Sequence, residues 1–246
     1  MASALVTRIH EIYDRIAKLE SLKPSEDVNT LLTHLVKLCI PPSNIIIEDL
    51  SQEIQDMRMN LIVLSGHAEG LLELEFATFL SKIPHPFKNL DLFPYYGNYV
   101  KLAGLEYKIL SEHGMVQPKK VAFVGSAANY VAHQIIASDD ELEKRMKFVT
   151  RDIMDVTEEL GEYDCIFLAA LVGISKEEKF KIVGHIRKYM KGGGLLLVRS
   201  ANGARAFLYP VVKELDLPGF ELLSIFHPTD EVINSVVLVR KPIFQD

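Results

Sequence analysis

Apolar positions in the first half of the chain recur at helical spacing. Leu5, Ile9, Ile12, Tyr13 and Ile16 form one stripe, and Leu31, Leu32, Leu35 and Leu38 form another. Ser25 and Asp27 are placed to cap the second helix, and Pro41-Pro42 stop it because neither has an N–H to donate. A third helix is predicted from near Ser51 to Leu80, with Ile54, Met57, Leu61 and Leu64 in phase. Pro84, Pro86 and Pro94 mark a loop, and Tyr99 to Leu110 resumes helix. Residues 1–117 therefore read as an all-helical N-terminal domain.

After Pro118 the pattern changes to short, continuous apolar runs. Val121–Val124, Phe148–Thr150, Cys165–Ala169, Leu195–Val198, Leu222–Phe226 and Val236–Val239 are candidate strands. Runs that are apolar throughout suit strands buried on both faces of a parallel sheet. Glu177–Met190 reads as a crossover helix, stopped by Gly192-Gly193-Gly194. The expected fold class is α/β, with a doubly wound, Rossmann-like sheet over residues 118–246.

Composition narrows the field. Among 246 residues, 48% are hydrophobic and 24% charged, the balance of an ordinary globular protein. The net charge of −6 argues against a nucleic-acid binder, and no run approaches a membrane span. Met1 to Glu11 carries acid and no long apolar run, so no signal peptide is expected. Two cysteines, Cys39 and Cys165, form neither a disulfide framework nor a CxxC pair, which points to a reducing, cytoplasmic setting. The eight histidines show no metal-ligand spacing, so no bound metal is expected.

Several segments carry candidate chemistry. Val121-Ala-Phe-Val-Gly125-Ser126 is a strand ending in glycine, as at the first turn of a nucleotide-binding sheet; the same pattern also serves a plain turn. Asp152 follows the Phe148 strand, where an acid can accept from an adenine amino group or simply be solvated. A complete site also needs a second strand presenting an acid to the ribose about 20 residues after the glycines. Here only Ala127–Met146 intervenes, and Asp139 and Asp140 read better as helix caps. Glu69 and Glu73 share a helix face and are open to a solvated reading; Glu69 facing a cleft would bind or deprotonate an amine. Tyr95, Tyr96 and Tyr99 cluster around Pro94 and Gly97, either as an aromatic hinge or lining a polar cavity. Arg199 and Arg205 follow a buried strand and suit bidentate capture of a carboxylate, while His227 closes another.

The segments LFPYYGNYVKLAGLEYKIL, DIMDV, YDCIFLAALVGISKEEK, RSANGARAFLYPVV and FHPTDEVINSVVLVRKP resemble nicotianamine synthase of plants, over nearly the whole chain. The resemblance implies a helical N-terminal domain on a class I methyltransferase-like Rossmann domain. It implies that three S-adenosylmethionine molecules donate 3-amino-3-carboxypropyl groups, releasing methylthioadenosine, with the last unit closing an azetidine ring. The product chelates iron and other transition metals. By the same resemblance Glu69, Tyr95 and Tyr96 match the catalytic pocket. Arg199, Arg205 and His227 lie in motifs near the substrate cavity, and Gly125, Ser126, Asp152 and Ala169 match the cofactor edge. The family continues Val-Gly-Ser with a further loop, helix and acid-tipped strand, whereas this chain passes from Ser126 almost directly to Asn129. A loss of about 30 residues, roughly one βα unit, is expected, with weakened S-adenosylmethionine binding. A non-catalytic regulatory relative and a generic methyltransferase are the rival readings, and a homo-oligomer is left open.

Overall fold

The computed structural model describes residues 2–125 and 130–243. Four helices precede the first strand: α1 (Ala2–Ile16), α2 (Glu26–Cys39), α3 (Gln52–Leu80) and α4 (Tyr96–Glu112). Ser25 caps α2 by accepting from the Val28 N–H at 3.3 Å, and α2 ends just before the proline pair. The remaining elements are β1 (Val121–Val124), α5 (Tyr130–Ala137), α6 (Asp140–Arg145), β2 (Cys165–Leu168), α7 (Lys176–Tyr189), β3 (Leu195–Ser200), β4 (Glu221–Phe226) and β5 (Ser235–Arg240). Asp139 caps α6 by accepting from the Glu141 and Leu142 N–H groups. Ser175 and Glu178 form a reciprocal capping box on α7.

The sheet has five strands in the order β1-β2-β3-β5-β4. The first three are parallel, but β5 runs antiparallel to both β3 and β4. The all-parallel expectation is therefore corrected to a mixed sheet. Only residues 227–234 join β4 to β5, fewer than the dozen or more that a parallel crossover requires. The strand expected at Phe148–Thr150 does not form. That stretch has no regular structure; Phe148 is half-buried and Val149 and Thr150 are exposed, so its short apolar run has no sheet face to fill. As a result β1 is an edge strand, with Val121 and Phe123 exposed.

Alternate residues on the central strands feed two cores, as the pleat requires. Ile166, Leu168, Leu196, Val198, Val237 and Val239 pack against Val183, Ile186 and Met190 of α7. Their neighbours Cys165, Leu195, Leu197, Val236 and Leu238 pack against Leu102, Ile109 and Leu110 of α4. A third core joins α1, α2 and the first half of α3 to Ala204, Phe207 and Leu208, in the turn after β3. Arg58 of α3 is buried and locks this junction, donating to the carbonyl oxygens of Ala206 at 2.5 Å and Tyr209 at 3.4 Å. The turn beyond β3 is thereby fixed to α3, and that junction builds the site.

Candidate active site

α3 crosses the molecule at the carboxyl ends of the parallel strands, where ligands bind in open α/β sheets. At Gly66 it comes so close to the loop after β2 that a Cβ there would lie 2.9 Å from Leu171 Cδ1. Around and beyond that point, Ser65, Ala68, Glu69 and Leu72 line one side of a cavity of about 160 Å³. Val28, Leu32 and Val36 of α2 give it an apolar wall. Tyr95, Asn98 and Tyr99 enter from the start of α4, Tyr209 from the turn after β3, and Asn234 from the loop between β4 and β5. Buried Phe93 organises the aromatic side: Tyr99 stacks on it at 5.9 Å and Tyr95 meets it edge-on at 5.8 Å.

The Glu69 carboxylate is the electrostatic centre. It accepts from the Tyr209 hydroxyl at 3.1 Å and from the Tyr99 hydroxyl at 3.1 Å. Burial pushes its carboxyl up from the ordinary value, against the opposing pull of these hydrogen bonds and the Arg199 charge. The Tyr99 oxygen also lies 3.0 Å from Glu73 Oε1. A phenol has one proton to give, so the second carboxylate is satisfied only when it carries a proton itself. Burial, and then the charge of Glu69, push Glu73 up as well. Tyr99, Tyr209 and Tyr95 are all raised, burial being the first cause and Glu69 the second, so all three remain proton donors at neutral pH. A desolvated carboxylate with a raised pKa, flanked by fixed donors, is equipped to take a proton from an amine.

The residues singled out from sequence are placed unequally. Glu69 and Tyr95 share the cavity; Tyr96 is exposed at the start of α4 and is not among the lining residues. Arg199 forms a two-pronged ion pair with buried Glu106 of α4, Nε to Oε1 at 2.7 Å and Nη2 to Oε2 at 3.0 Å. Its guanidinium also lies 4.9 Å from the Phe123 ring centre. Arg205 is buried and donates to the carbonyl oxygens of Ile40, at 2.8 Å, and of Pro228 and Asp230. His227 is exposed, its Nδ1 2.9 Å from Ser235 Oγ. Arg199 is thus paired to Glu106, and Arg205 spends Nη1 and Nη2 on carbonyls while its buried Nε has no partner among the described residues; neither arginine lines the cavity.

At the other end, Gly125 closes β1 with a φ of +84° and abuts the end of β2. The Ala169 N–H donates to the Val124 carbonyl at 3.0 Å, and a Cβ on Gly125 would lie 3.2 Å from Ala169 Cβ and 2.0 Å from Val172 Cγ2. Ser126 lies outside the described residues. Asp152 is exposed and caps a short turn by accepting from the Met154 N–H at 2.9 Å. The loop after β2 is braced from below by buried Lys179, whose ammonium donates to the Ala170 carbonyl at 3.0 Å and to that of Val172. Burial lowers this amine to about 8. Among the described residues, no three His, Cys, Asp or Glu side chains gather as a metal would need.

Tyr99 was expected in an aromatic hinge or lining a polar cavity, and it lines the cavity; Tyr209 and Asn234 carried no expectation from sequence. Spacing offers a signal for Tyr99 and Tyr209: Tyr95 and Tyr99 are four apart on α4, and Tyr209 ends the run that follows β3.

The profile of nicotianamine synthase proteins matches residues 1–128 and 126–245, almost the entire chain. The chain belongs to the nicotianamine synthase family. A nicotianamine synthase of Solanum lycopersicum is 47% identical over 267 positions, covering 98% of this chain and 84% of that protein. A probable nicotianamine synthase 4 of Arabidopsis thaliana is 48% identical, covering 96% and 82%. The crystal structure of MtNAS in complex with MTA and tNA shares the fold at a TM-score of 0.74 and 20% identity, covering 96% of this chain and 97% of that one. A mutant of MtNAS in complex with S-adenosylmethionine superposes equally well, at 0.74. Against this relative the chain is short. The tomato alignment spans 267 positions, whereas 98% of 246 residues is about 241, so about 26 positions of that relative face no residue here. The two matched pieces meet at residues 126–128, directly after β1.

Proposed function

We propose that the chain makes nicotianamine by transferring 3-amino-3-carboxypropyl groups from three S-adenosylmethionine molecules, with Glu69 as proton acceptor. An amine nitrogen attacks the γ-carbon of the donated group, and the carbon–sulfur bond breaks. The electron pair goes to sulfur, giving neutral methylthioadenosine, while the amine proton passes to Glu69. A sulfonium leaves without acid assistance, so the protein has chiefly to position the amine and keep it neutral. Tyr99 and Tyr209 hold the carboxylate in place, and Tyr95 closes the cavity beside it. The observation that carries this reading is the half-buried Glu69 carboxylate, held by two phenols at the sheet's carboxyl end.

We further propose that donor binding is weak in this form. Gly125 and Ala169 remain at the strand ends, but β1 has no neighbour on its outer side and Asp152 is occupied with its own turn. The unpaired edge also favours a second reading, a non-catalytic relative that regulates complete synthases.

Incubation with S-adenosylmethionine followed by mass spectrometry separates the alternatives. Methylthioadenosine and nicotianamine released only at raised donor concentration are expected. Binding without any turnover would support the regulatory reading. S-adenosylhomocysteine as the by-product would mean methyl transfer and overturn the assignment.

A further inference from the structure

Two buried polar atoms in the cavity lack a hydrogen-bond partner, Ser65 Oγ and Asn234 Nδ2. Asn234 is 7% exposed, in a loop whose neighbour Val232 is also buried. A buried donor left unmade is costly, so native proteins rarely keep one without a use. Here two occur in one cavity. Ser65 lies four residues before Glu69 on α3, so their Cβ atoms are about 5–6 Å apart on the same face. The loop carrying Asn234 is tied to the opposite wall, the Asn98 amide donating to the Glu231 carbonyl at 2.8 Å.

The cavity's charges narrow the ligand. Glu69 is its one carboxylate, and no lysine or arginine stands among the lining residues. The nearest cationic influence is Arg199, which acts on Glu69 through space while paired to Glu106. An ammonium or amine therefore belongs at Glu69, and a group rich in acceptors belongs at the two empty donors.

We infer that Ser65 and Asn234 bind the α-carboxylate of the amino-acid head group whose amine faces Glu69. They would thereby select an intact α-amino acid as acceptor, the task that the arginines, engaged elsewhere, do not perform. The inference rests on the aminocarboxypropyl-transfer reading above and deepens it.

Isothermal calorimetry with nicotianamine as the probe of the acceptor cavity tests it, on the full chain. Ser65→Ala and Asn234→Ala are each expected to weaken nicotianamine binding about tenfold, the loss of one hydrogen bond to a charged group. Asn234→Asp, which sets a like charge against the carboxylate, is expected to weaken it about a hundredfold. Methylthioadenosine affinity stays unchanged in all three. Ser65→Ala also removes an unsatisfied buried hydroxyl, so the unliganded variant is expected to melt on the order of 2 °C higher. A purely structural serine would lower the melting point and leave nicotianamine affinity alone. If Asn234→Ala does not fold, Ser65→Ala and the near-isosteric Asn234→Asp decide. Unchanged nicotianamine affinity in those variants, with binding weakened by Glu69→Gln, overturns this inference alone. An unsubstituted chain that does not bind nicotianamine overturns this inference and the aminocarboxypropyl reading together.

Discussion

The two ends of the α3 crossing are built to different standards. Around Glu69, five separate segments converge, every phenol oxygen that touches the carboxylate is placed within 3.3 Å, and Phe93 fixes the rings from behind. Around Gly125, β1 is a four-residue edge strand and the nearest acid from sequence reasoning, Asp152, faces solvent. The cavity for an amine is walled by long-range packing; the strand ends suited to a nucleoside have support on one side. On the proposed reading, transfer chemistry and donor capture are separable in this chain, because different segments would supply them.

The largest effect is expected from Glu69→Gln, which removes the proton acceptor and should lower methylthioadenosine release about a thousandfold, leaving donor affinity unchanged. A loss confined to donor affinity would invert the comparison. The same substitution carries a pH signature. Burial holds the folded-state carboxyl above its unfolded range. Its contribution to stability is thus full below the unfolded value and is lost as pH rises through the raised one. Glu69→Gln should melt higher than the unsubstituted chain at pH 8, with the gap closing toward pH 4 in differential scanning calorimetry.

Next in size is the joint between the two regions. Glu106→Ala strands Arg199, which bridges α4 to the ring of Phe123 in β1, and should cost about 3 kcal/mol in urea denaturation. Destabilisation near zero would show that the two ends are held independently of this pair. Gly125→Ala adds a Cβ against Val172 in a left-handed backbone conformation and should cost about 2 kcal/mol, read from the same transition. Smallest is Asp152→Ala, which loses a turn cap worth about 1 kcal/mol and should change S-adenosylmethionine affinity less than twofold by calorimetry. A tenfold loss there would return Asp152 to the nucleoside and dissolve the contrast.

Legibility in the sequence follows the same divide. Helical stripes located α1 to α4 within a few residues because each buries one broad apolar face against a core. Five of six strands were readable, since the central ones are apolar on both sides of the sheet. Phe148–Thr150 misled because so short a run looks alike whether it pairs or lies along a surface. The antiparallel end of the sheet was visible in the eight-residue connection from Phe226 to Ser235, not in hydropathy. For the candidate site, residue type and resemblance pointed to Glu69 and Tyr95, which the structure brings into one cavity. Arg199 and Arg205 misled for a physical reason: a guanidinium at a strand end suits a ligand carboxylate and an internal Glu106 or carbonyl cluster equally well. Asn234 was unreadable, because its importance lies in a partner it lacks, and only three-dimensional neighbours reveal that.

α3 runs unbroken for 29 residues, a rod of about 43 Å at the usual helical rise, with Arg58 clamped near one end and Glu69 beyond its middle. Packing against α1 and α2 fixes the backbone that carries the carboxylate, so only the Glu69 side-chain torsions remain to meet an incoming ligand. On the facing wall, the Asn98 amide and the Lys101 ammonium both hold Glu231, stitching the first turns of α4 to the Asn234 loop. Loosening that wall takes two cuts, one at Asn98 and one at Lys101, and would leave the α3 side standing.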